Sequence, residues 1–305
     1  MNRNELAVES AWLYYEFHLN QGQIAKQLGV SRSSISRALQ DAERRGIVRH
    51  LITTSLPRLL PLEAEILART SLTACRIVPD TDGIEVVARA AAVFVDDRLE
   101  PDHTIALGWG RTIRAMSENL PPRPLTELTC VDAIGHANVA DAVDALGTTQ
   151  AVAARYHSRR VHHLVVPAMV HQRSDVVDSS GFDRVLQLSR AADLVVVSVG
   201  SVDEQASMLK MTDLVDRSRL AELAAAGAIG DITGHFIDRD GNGVIGGPHV
   251  LGLSLADLRM NPNVVVVTAG PLKNKATAAA VRGGLANAIV CDEGTARFIL
   301  ATIDD

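Results

Sequence analysis

The sequence between residues 21 and 39 reads QGQIAKQLGVSRSSISRAL, and it predicts two short helices joined by a tight turn. Ile24 and Leu28 fall on one face of the first helix, and Ile35 and Leu39 fall on one face of the second. Gly29 suits the turn because glycine adopts a positive φ without a Cβ clash. The hydroxyl of Ser31 can then accept a hydrogen bond from a free backbone amide at the start of the second helix.

The first turns of the second helix are polar, and this is typical of a helix-turn-helix motif that inserts this end into the DNA major groove. Arginine can pair with guanine, and serine can contact base edges or phosphates. A plain helical hairpin with solvated arginines is the alternative interpretation. DNA binding is favoured because polar residues crowd the helix start near the beginning of the chain. The predicted DNA-binding residues are Gln21, Ser31, Arg32, Ser33, Ser34, Ser36 and Arg37.

Composition and length describe a globular chain with more than one domain. The chain has 305 residues, of which 47% are hydrophobic and 22% are charged, and its formal net charge is −6. Residues 1–50 carry seven basic and five acidic side chains, a net charge of +2, so the remainder carries −8. A basic head on an acidic body suits a protein whose DNA contacts lie at one end. We therefore predict a helix-turn-helix domain at residues 1–56, with a possible extended wing at Ile47–Thr53, and a second domain at 57–305.

The three cysteines, Cys75, Cys130 and Cys291, are far apart and lie in apolar runs. Buried free thiols in a reducing compartment are the favoured interpretation. No apolar run approaches the roughly 20 residues that span a bilayer, and acidic residues interrupt any signal-peptide pattern. We therefore expect a cytoplasmic protein.

From about residue 74 onward, apolar runs rich in β-branched residues alternate with helical stretches. Strands that are apolar throughout are buried on both faces, and alternation with helices predicts a mostly parallel sheet covered by helices. The expected fold is therefore a Rossmann-like α/β domain behind a winged-helix-like head. The clearest predicted strands are Thr104–Leu107, Leu164–Val166, Leu194–Val199, Val264–Thr268 and Ala288–Cys291.

Ligands of open α/β sheets bind beyond the carboxyl ends of the strands, so the residues that follow the predicted strands are the candidates. The sequence Gly108-Trp109-Gly110-Arg111-Thr112 follows Thr104–Leu107 and opens a helix. Its glycines would let backbone amides approach an anion, which Arg111, Thr112 and the helix start would hold. The loop matches neither a dinucleotide fingerprint nor a Walker loop, and its glycines could simply form a turn.

Two further strand ends carry charge. Lys273 opens a helix after Val264–Thr268, where a cation opposes the helix dipole and so favours an anionic ligand. The alternative is that Lys273 is an ordinary solvated lysine. Asp231 lies between Gly230 and Gly234 and could accept hydrogen bonds from sugar hydroxyls, although a capping or turn role is nearly as good an interpretation.

Other possible metal-binding and catalytic motifs do not meet the requirements of such sites. The sequence from Asp238 to Val244 resembles the start of a calcium loop, but His249 occupies the position that needs a bidentate glutamate, so we predict a turn. His162 and His163 show no metal spacing and are expected at the surface. Because no nucleophile elbow or Cys/His pair is present, no catalytic residue, metal or cofactor is expected.

Several of these motifs occur together in one known family. The chain resembles the SorC family of bacterial sugar-binding transcriptional regulators over nearly its whole length. The resemblance rests on the helix-turn-helix head and on five motifs in family order. These motifs are Leu107–Thr112, Gly227–Ile232, Phe236–Asp238 followed by Gly241, Gly270–Lys273 and Asp292–Ala296.

The resemblance implies a DNA-binding regulator of carbohydrate metabolism whose operator binding responds to a phosphorylated sugar or polyol. It implies an effector domain akin to glucosamine-6-phosphate deaminase and ribose-5-phosphate isomerase, and a homotetramer. A sugar-phosphate isomerase or deaminase with a regulatory head is the alternative. Ala269-Gly270 departs from the usual paired glycines, and residues 134–138 lack the clear glycine-rich pattern of some members. The implied effector-binding residues are Gly108, Gly110, Arg111, Thr112, Gln150, Asp231 and Lys273.

Overall fold

The structure is a computed structural model that describes residues 3–48, 58–80, 83–136, 145–170, 179–203 and 215–303. Its contacts divide the chain into two compact units, Met1–Thr54 and Ser55–Asp305. The predicted boundary between residues 56 and 57, and most of the predicted wing, lie outside the described residues. Both therefore stay predictions.

The first unit is helical. Helix α1 covers Arg3–Ala11 and continues into a π-helical turn, Trp12–Glu16, and it is followed by α2 (Gln21–Leu28) and α3 (Arg32–Arg44). The apolar faces predicted from residues 21–39 meet in one small core. This core buries Leu13, Ile24, Ala25, Ile35 and Leu39.

The turn between α2 and α3 has the predicted chemistry. Gly29 has a φ of 67°, in the left-handed region that glycine adopts without strain. Ser31 is the N-cap of α3, and its Oγ accepts the backbone N–H of Ser34 at 3.1 Å. Asn20 caps α2 in the same way, and its side chain accepts the amides of Gly22 and Gln23. Both helices of the motif are therefore locked at their starts.

Loss of the Ser31 cap gives a testable change in stability. Ser31→Ala is expected to lower the free energy of unfolding of the first unit by about 1 kcal/mol, because one amide of α3 loses its acceptor. Hydrogen exchange of the α3 amides in the full chain would measure the change. Ser36→Ala is the matched control, because the Ser36 side chain caps no helix amide and makes no hydrogen bond with any described residue. Equal loss of protection in the two variants would contradict the capping role.

The second unit is built on a seven-stranded sheet, as predicted. The strand order is β1-β12-β11-β6-β2-β3-β4, and every neighbouring pair in it is parallel. The strands are β1 (Ala74–Val78), β2 (Thr104–Leu107), β3 (Thr129–Asp132), β4 (Arg160–His162), β6 (Leu194–Val197), β11 (Val264–Val267) and β12 (Ala288–Asp292).

Helices cover both faces of this sheet, and two hydrophobic cores fill the space between the layers. The central strands β6 and β11 are buried along their whole length, which explains why they are apolar at every position. The helices are α4 (Leu60–Arg69), α5 (Glu85–Asp96), α6 (Arg111–Asn119), α7 (Ala145–Tyr156), α8 (Ser179–Arg190), α9 (Arg217–Ala225), α10 (Leu255–Met260), α11 (Asn274–Arg282) and α12 (Glu293–Thr302).

One predicted strand is wrong. The segment Leu164–Val166 is irregular, and the strand that pairs with β3 lies earlier, at Arg160–His162. The backbone N–H of Leu164 donates to the buried carboxylate of Asp132 at 3.0 Å instead of to a neighbouring strand. Val165 in the middle of the run is 74% exposed, so the apolar run is not buried on both faces.

Two small antiparallel sheets lie beside the large one. The first contains β7 (Val199–Ser201), β8 (Gly230–Ile232) and β9 (His235–Ile237), and the second pairs β5 (Met169–Val170) with β10 (His249–Val250). Strand β6 passes directly into β7 through Ser198, so the three-stranded sheet begins where a central strand of the large sheet ends. This junction brings β8 to the site described below.

The segment from Asp238 to Val244, which resembles the start of a calcium loop, forms a turn, as predicted. Oδ1 of Asp238 accepts the backbone amides of Asp240 at 2.9 Å and Asn242 at 2.8 Å. Within the described ranges, no group of three or more His, Cys, Asp or Glu side chains could hold a metal ion. The three cysteines are free and buried, as predicted. Among the helices that the structure describes, none has the length and apolar character needed to cross a membrane.

Candidate functional site

A cavity lies at the carboxyl edge of the large sheet, where the neighbouring strands β2, β6 and β11 end. The loops that follow these strands contribute Gly108, Ser198 and the segment that contains Lys273, and β8 contributes Asp231. The site is therefore assembled from four separate parts of the second unit. The cavity is lined by Gly108, Trp109, Gly110, Arg111, Ile134, Val197, Ser198, Val199, Gly200, Asp231, Thr233, Gly234 and Lys273.

Lys273 lies at the end of a short 3-10 turn, Pro271–Lys273, just before α11. Its Nζ donates to the Oγ of Ser198 at 3.1 Å. The turn is held from behind by Asp292, whose Oδ2 accepts the backbone N–H of Gly270 at 2.6 Å and whose Oδ1 accepts that of Thr295 at 2.9 Å. Asp292 thus joins the Lys273 turn to the start of α12.

Asp231 is only 8% exposed and lies directly against the backbone of Gly200 on the paired strand β7. A Cβ at residue 200 would come within 2.0 Å of the Asp231 Oδ1 atom. Oδ2 of Asp231 accepts the backbone N–H of Gly234 at 3.2 Å. The position of the carboxylate therefore depends on the absence of a side chain at residue 200.

The two charges of the site are both disfavoured by burial. Burial raises the pKa of Asp231 to about 6, and the Gly234 amide and Lys273 act against this rise. The pKa of Lys273 is lowered to about 8, chiefly by burial; the charge of Asp231 opposes this change, and the charge of Arg111 adds to it. Asp231 and Lys273, both among the described residues, form no ion pair within 4.0 Å of each other. Neither charge is therefore neutralised by direct contact with the other.

The start of α6 forms another wall. Gly110 is its N-cap with a φ of 128°, a conformation that residues with a Cβ rarely adopt, and no side chain caps this helix end. Arg111 is the first residue of the helix and lines the cavity. A helix start without a capping side chain leaves backbone donors that favour an anion. Together with Arg111 and Lys273, this wall gives the cavity a cationic side.

The contact between Gly200 and Asp231 can be tested by adding one methyl group. Gly200→Ala is expected to lower the free energy of unfolding by about 1–3 kcal/mol, because the methyl group and the carboxylate cannot occupy the same space. Urea unfolding would measure it. Gly181→Ala in α8 is the matched control, since a Cβ there meets no atom within 4 Å. A Gly200→Ala protein as stable as the Gly181→Ala protein would contradict the contact.

Two of the predicted effector-binding residues do not line the cavity. Thr112 is 1% exposed within α6. Gln150 lies on α7, and its Nε2 is 2.9 Å from Nε2 of His163. The other ring nitrogen of His163, Nδ1, is 3.0 Å from Oδ2 of the buried Asp132. The structure thus brings Gly108, Gly110, Arg111, Asp231 and Lys273 together, and effector contacts of Thr112 and Gln150 stay predictions without support from this cavity.

The same network corrects the prediction for His163. Its side chain is only 16% exposed, because it packs against a carboxylate that is 1% exposed, and it is therefore not a surface residue. Three further polar or aromatic residues line the cavity but are not among the residues predicted from the sequence, namely Ser198, Thr233 and Trp109. Trp109 lies within the glycine loop and could have been included with its neighbours. Ser198 lies inside the predicted strand Leu194–Val199, whereas the structure ends β6 at Val197 and begins β7 at Val199. Thr233 lies in the short turn between β8 and β9.

The predicted DNA-binding residues lie at the start of α2 and on the first turns of α3. Arg32, Ser33 and Arg37 are exposed, whereas Ser34 and Ser36 are half-buried. Ser31 is the N-cap described above, and its Oγ lies 2.8 Å from that of Ser34. Gln21 is the first residue of α2. The exposed arginines are therefore available to a partner, while Ser31 and Ser34 also hold the helix start.

Comparison with known proteins identifies both units. Residues 55–301 match the family described as "Putative sugar-binding domain", and residues 11–52 match the MarR family. The chain belongs to the SorC family of sugar-binding transcriptional regulators. In this SorC-family protein, the MarR match lies in the first unit and the sugar-binding match in the second. The predicted fold class, a helix-turn-helix region followed by a mostly parallel α/β domain, is confirmed.

Relatives of this SorC-family chain cover nearly its full length. It is 30% identical to the transcriptional regulator LsrR of Enterobacter sp. strain 638, over 99% of the chain and 94% of the relative. It is 25% identical to the deoxyribonucleoside regulator of Bacillus subtilis strain 168, over 98% of each chain.

A solved structure shares the whole architecture. The full-length sorbitol operon regulator SorC of Klebsiella pneumoniae is 26% identical, with a TM-score of 0.72, and the match covers 97% of this chain and 98% of that one. The chain is therefore a sugar-responsive DNA-binding regulator, and it groups with regulators rather than with enzymes.

Proposed function

We propose that this regulator binds a phosphorylated sugar or polyol in the cavity at the carboxyl edge of the sheet, and that this binding changes its affinity for operator DNA. The observation that supports the proposal is the joint presence of two cationic side chains, Arg111 and Lys273, and one buried carboxylate, Asp231, in a single cavity. The two cationic side chains suit a phosphate group, and the carboxylate suits sugar hydroxyls.

The phosphate would lie at the start of α6. Gly108 and Gly110 present no side chain to an approaching anion, and Arg111 can donate two parallel hydrogen bonds to phosphate oxygens. Lys273, which follows β11 at the same edge of the sheet, would add a second positive charge. Because burial disfavours the charged form of Lys273 before the ligand arrives, a phosphate beside it stabilises that charge.

The hydroxyl groups would face Asp231. A carboxylate accepts hydrogen bonds only, and its buried position against Gly200 fixes the direction in which it can accept them. The relatives named for deoxyribonucleosides and for the sorbitol operon support a sugar or polyol as the ligand class. We infer that Asp231 selects hydroxyl-rich ligands, while Arg111 and Lys273 select the phosphorylated ones.

Binding must favour one arrangement of the assembled regulator over another if it is to change DNA affinity. A ligand shifts such an equilibrium only by its difference in affinity for the two arrangements. The proposed assembly is a homotetramer in the cytoplasm, in which two pairs of DNA-binding units hold an extended operator. Whether transcription rises or falls depends on which arrangement the ligand prefers.

A thermal-shift screen tests the proposal. Phosphorylated sugars and polyols are each compared with the same compound without phosphate, because a ligand that binds only the folded state raises the melting temperature. We expect at least one phosphorylated compound to raise it and its unphosphorylated partner to have little effect. Equal shifts from both members of every active pair would contradict a phosphate site.

The alternative of a sugar-phosphate isomerase or deaminase is not favoured. The relatives are named as transcriptional regulators. Such an enzyme also needs a general base and a partner acid near the sugar carbon, and Asp231 is the single carboxylate that lines the described cavity. Turnover of ribose 5-phosphate or glucosamine 6-phosphate by the purified protein would reverse this conclusion.

A further inference from the structure

We propose that the two arginines at the start of α3 do different work: Arg32 holds a phosphate of the DNA backbone, whereas Arg37, together with Ser33 and Gln40, reads base edges. The proposal rests on the DNA-binding function proposed above, and it adds Gln40 to the residues that determine operator sequence. It is carried by the directions in which the side chains leave α3.

Three exposed residues of α3 lie in line along the helix. Because an α-helix turns about 100° per residue, Arg37 and Gln40 project within about 40° and about 20° of the direction of Ser33. All three residues are exposed. Ile35, Ala38 and Ala42 project to the opposite side, and these residues are 0%, 7% and 0% exposed. We call Ser33, Arg37 and Gln40 the reading stripe.

Arg32 does not belong to the reading stripe. It leaves the helix about 100° away from Ser33, on the side that faces the start of α2. There it lines a groove together with Tyr14, Asn20, Gln21 and Gly22, which we call the Arg32 groove. A side chain that faces this groove is directed away from the centre of the stripe.

The chemistry of each surface suits a different part of the duplex. The reading stripe offers an arginine, which pairs with guanine O6 and N7, and a glutamine, which pairs with adenine N6 and N7. Among the described residues, the Gln40 side chain makes no hydrogen bond of its own. Arg37 is steadied on the stripe, because its Nε donates to the backbone oxygen of Ser33 at 3.3 Å.

The Arg32 groove offers donors of a kind that carry no sequence code. The guanidinium of Arg32 is exposed, and the hydroxyl of Tyr14 makes no hydrogen bond with any described residue. Arginine and tyrosine are both common contacts of phosphate oxygens, and such contacts fix the register of a protein on the duplex. A phosphate in this groove would place the reading stripe over the bases.

Charge-conserving substitutions separate the two roles. Duplexes that the full-length wild-type chain selects from a random pool serve as operator probes, and scrambled versions serve as non-specific probes. Arg32→Ala is expected to weaken binding to both probes by the same factor. It should also make the slope of log affinity against log salt less steep by about 0.9 for each bound head. Arg32→Lys should restore both, because a phosphate needs only a nearby charge.

The reading stripe should respond in the opposite way. Arg37→Lys keeps the charge and the salt slope but loses the paired hydrogen bonds to guanine. It should cost about 5-fold to about 150-fold in operator affinity and nothing on the scrambled probe. Gln40→Ala should show the same selective loss, and a selection repeated with that variant should lose the preference at one position of the site. Thermal unfolding of each variant confirms that the exposed substitutions leave the fold intact.

Distinct results would overturn the assignment. If Arg32→Lys loses operator affinity selectively, Arg32 reads a base; if Gln40→Ala leaves operator preference unchanged, the reading stripe is misassigned. If the wild-type chain selects no sequence from the pool, the proposed function fails together with this inference. Selection by the wild type followed by either variant result removes the inference alone.

Discussion

Replacing Lys273 with methionine is expected to weaken the binding of the phosphorylated ligand by at least about 30-fold, while operator binding by the ligand-free protein persists. The substitution keeps the length of the side chain but removes the charge that faces the cavity. Losing one partner of a buried, hydrogen-bonded charge interaction costs about 2–5 kcal/mol. Arg111 remains, so some affinity for phosphate should survive.

Isothermal titration calorimetry with the most stabilising compound of the thermal-shift screen would measure this loss. Lys275→Met is the matched control, because Lys275 carries the same charge two residues away but is exposed and does not line the cavity. Equal affinities for the two variants would show that Lys273 does not contact the ligand. Loss of operator binding by the Lys273→Met protein would indicate a general structural defect instead.

The second large effect is a fall in ligand affinity of about tenfold per pH unit above about pH 8. The pKa of Lys273 is lowered to about 8 by burial, so above this pH the free protein carries a neutral amine that must be protonated before a phosphate is attracted to it. Each further pH unit makes the protonated form tenfold rarer. Titrations between pH 7 and pH 10 would show the fall, and the Lys273→Met protein should lack it.

Stability without ligand should respond to pH in the opposite direction. The pKa of Lys273 in the folded chain, about 8, lies below its ordinary value of 10.5, so the unfolded chain binds the proton more tightly. Stability therefore rises with pH from about 8 to about 10.5 as far as this lysine is concerned. Asp231 acts at lower pH. Because its folded pKa is raised to about 6 from 3.8, its contribution to stability falls as the pH rises through that interval.

Much of the site could be predicted because strand ends of a parallel sheet lie at one edge. Gly108, Gly110 and Arg111 follow one buried strand, and Lys273 follows another, so the α/β pattern alone places them at the same edge of the sheet. Asp231 could be proposed only for its glycine neighbours, because its strand has three residues and leaves no periodic signal. The position of the Asp231 carboxylate depends on Gly200 of the paired strand, but nothing in the local sequence indicates that these two residues pair.

The errors have a common physical origin, namely side chains that replace backbone partners. Leu164–Val166 has the composition of a buried strand, but the carboxylate of Asp132 takes the Leu164 amide. The same carboxylate draws His163 inward.

The double hydrogen bond of Asp292 has a practical consequence for how the protein can be handled. Its carboxylate joins the backbone of the Lys273 turn to the first turn of the last described helix. A chain cut before residue 293 would lose both this contact and the core residues Ala296 and Ile299, which are fully buried. Such a shortened chain is expected to lose stability in its second unit together with its response to the effector.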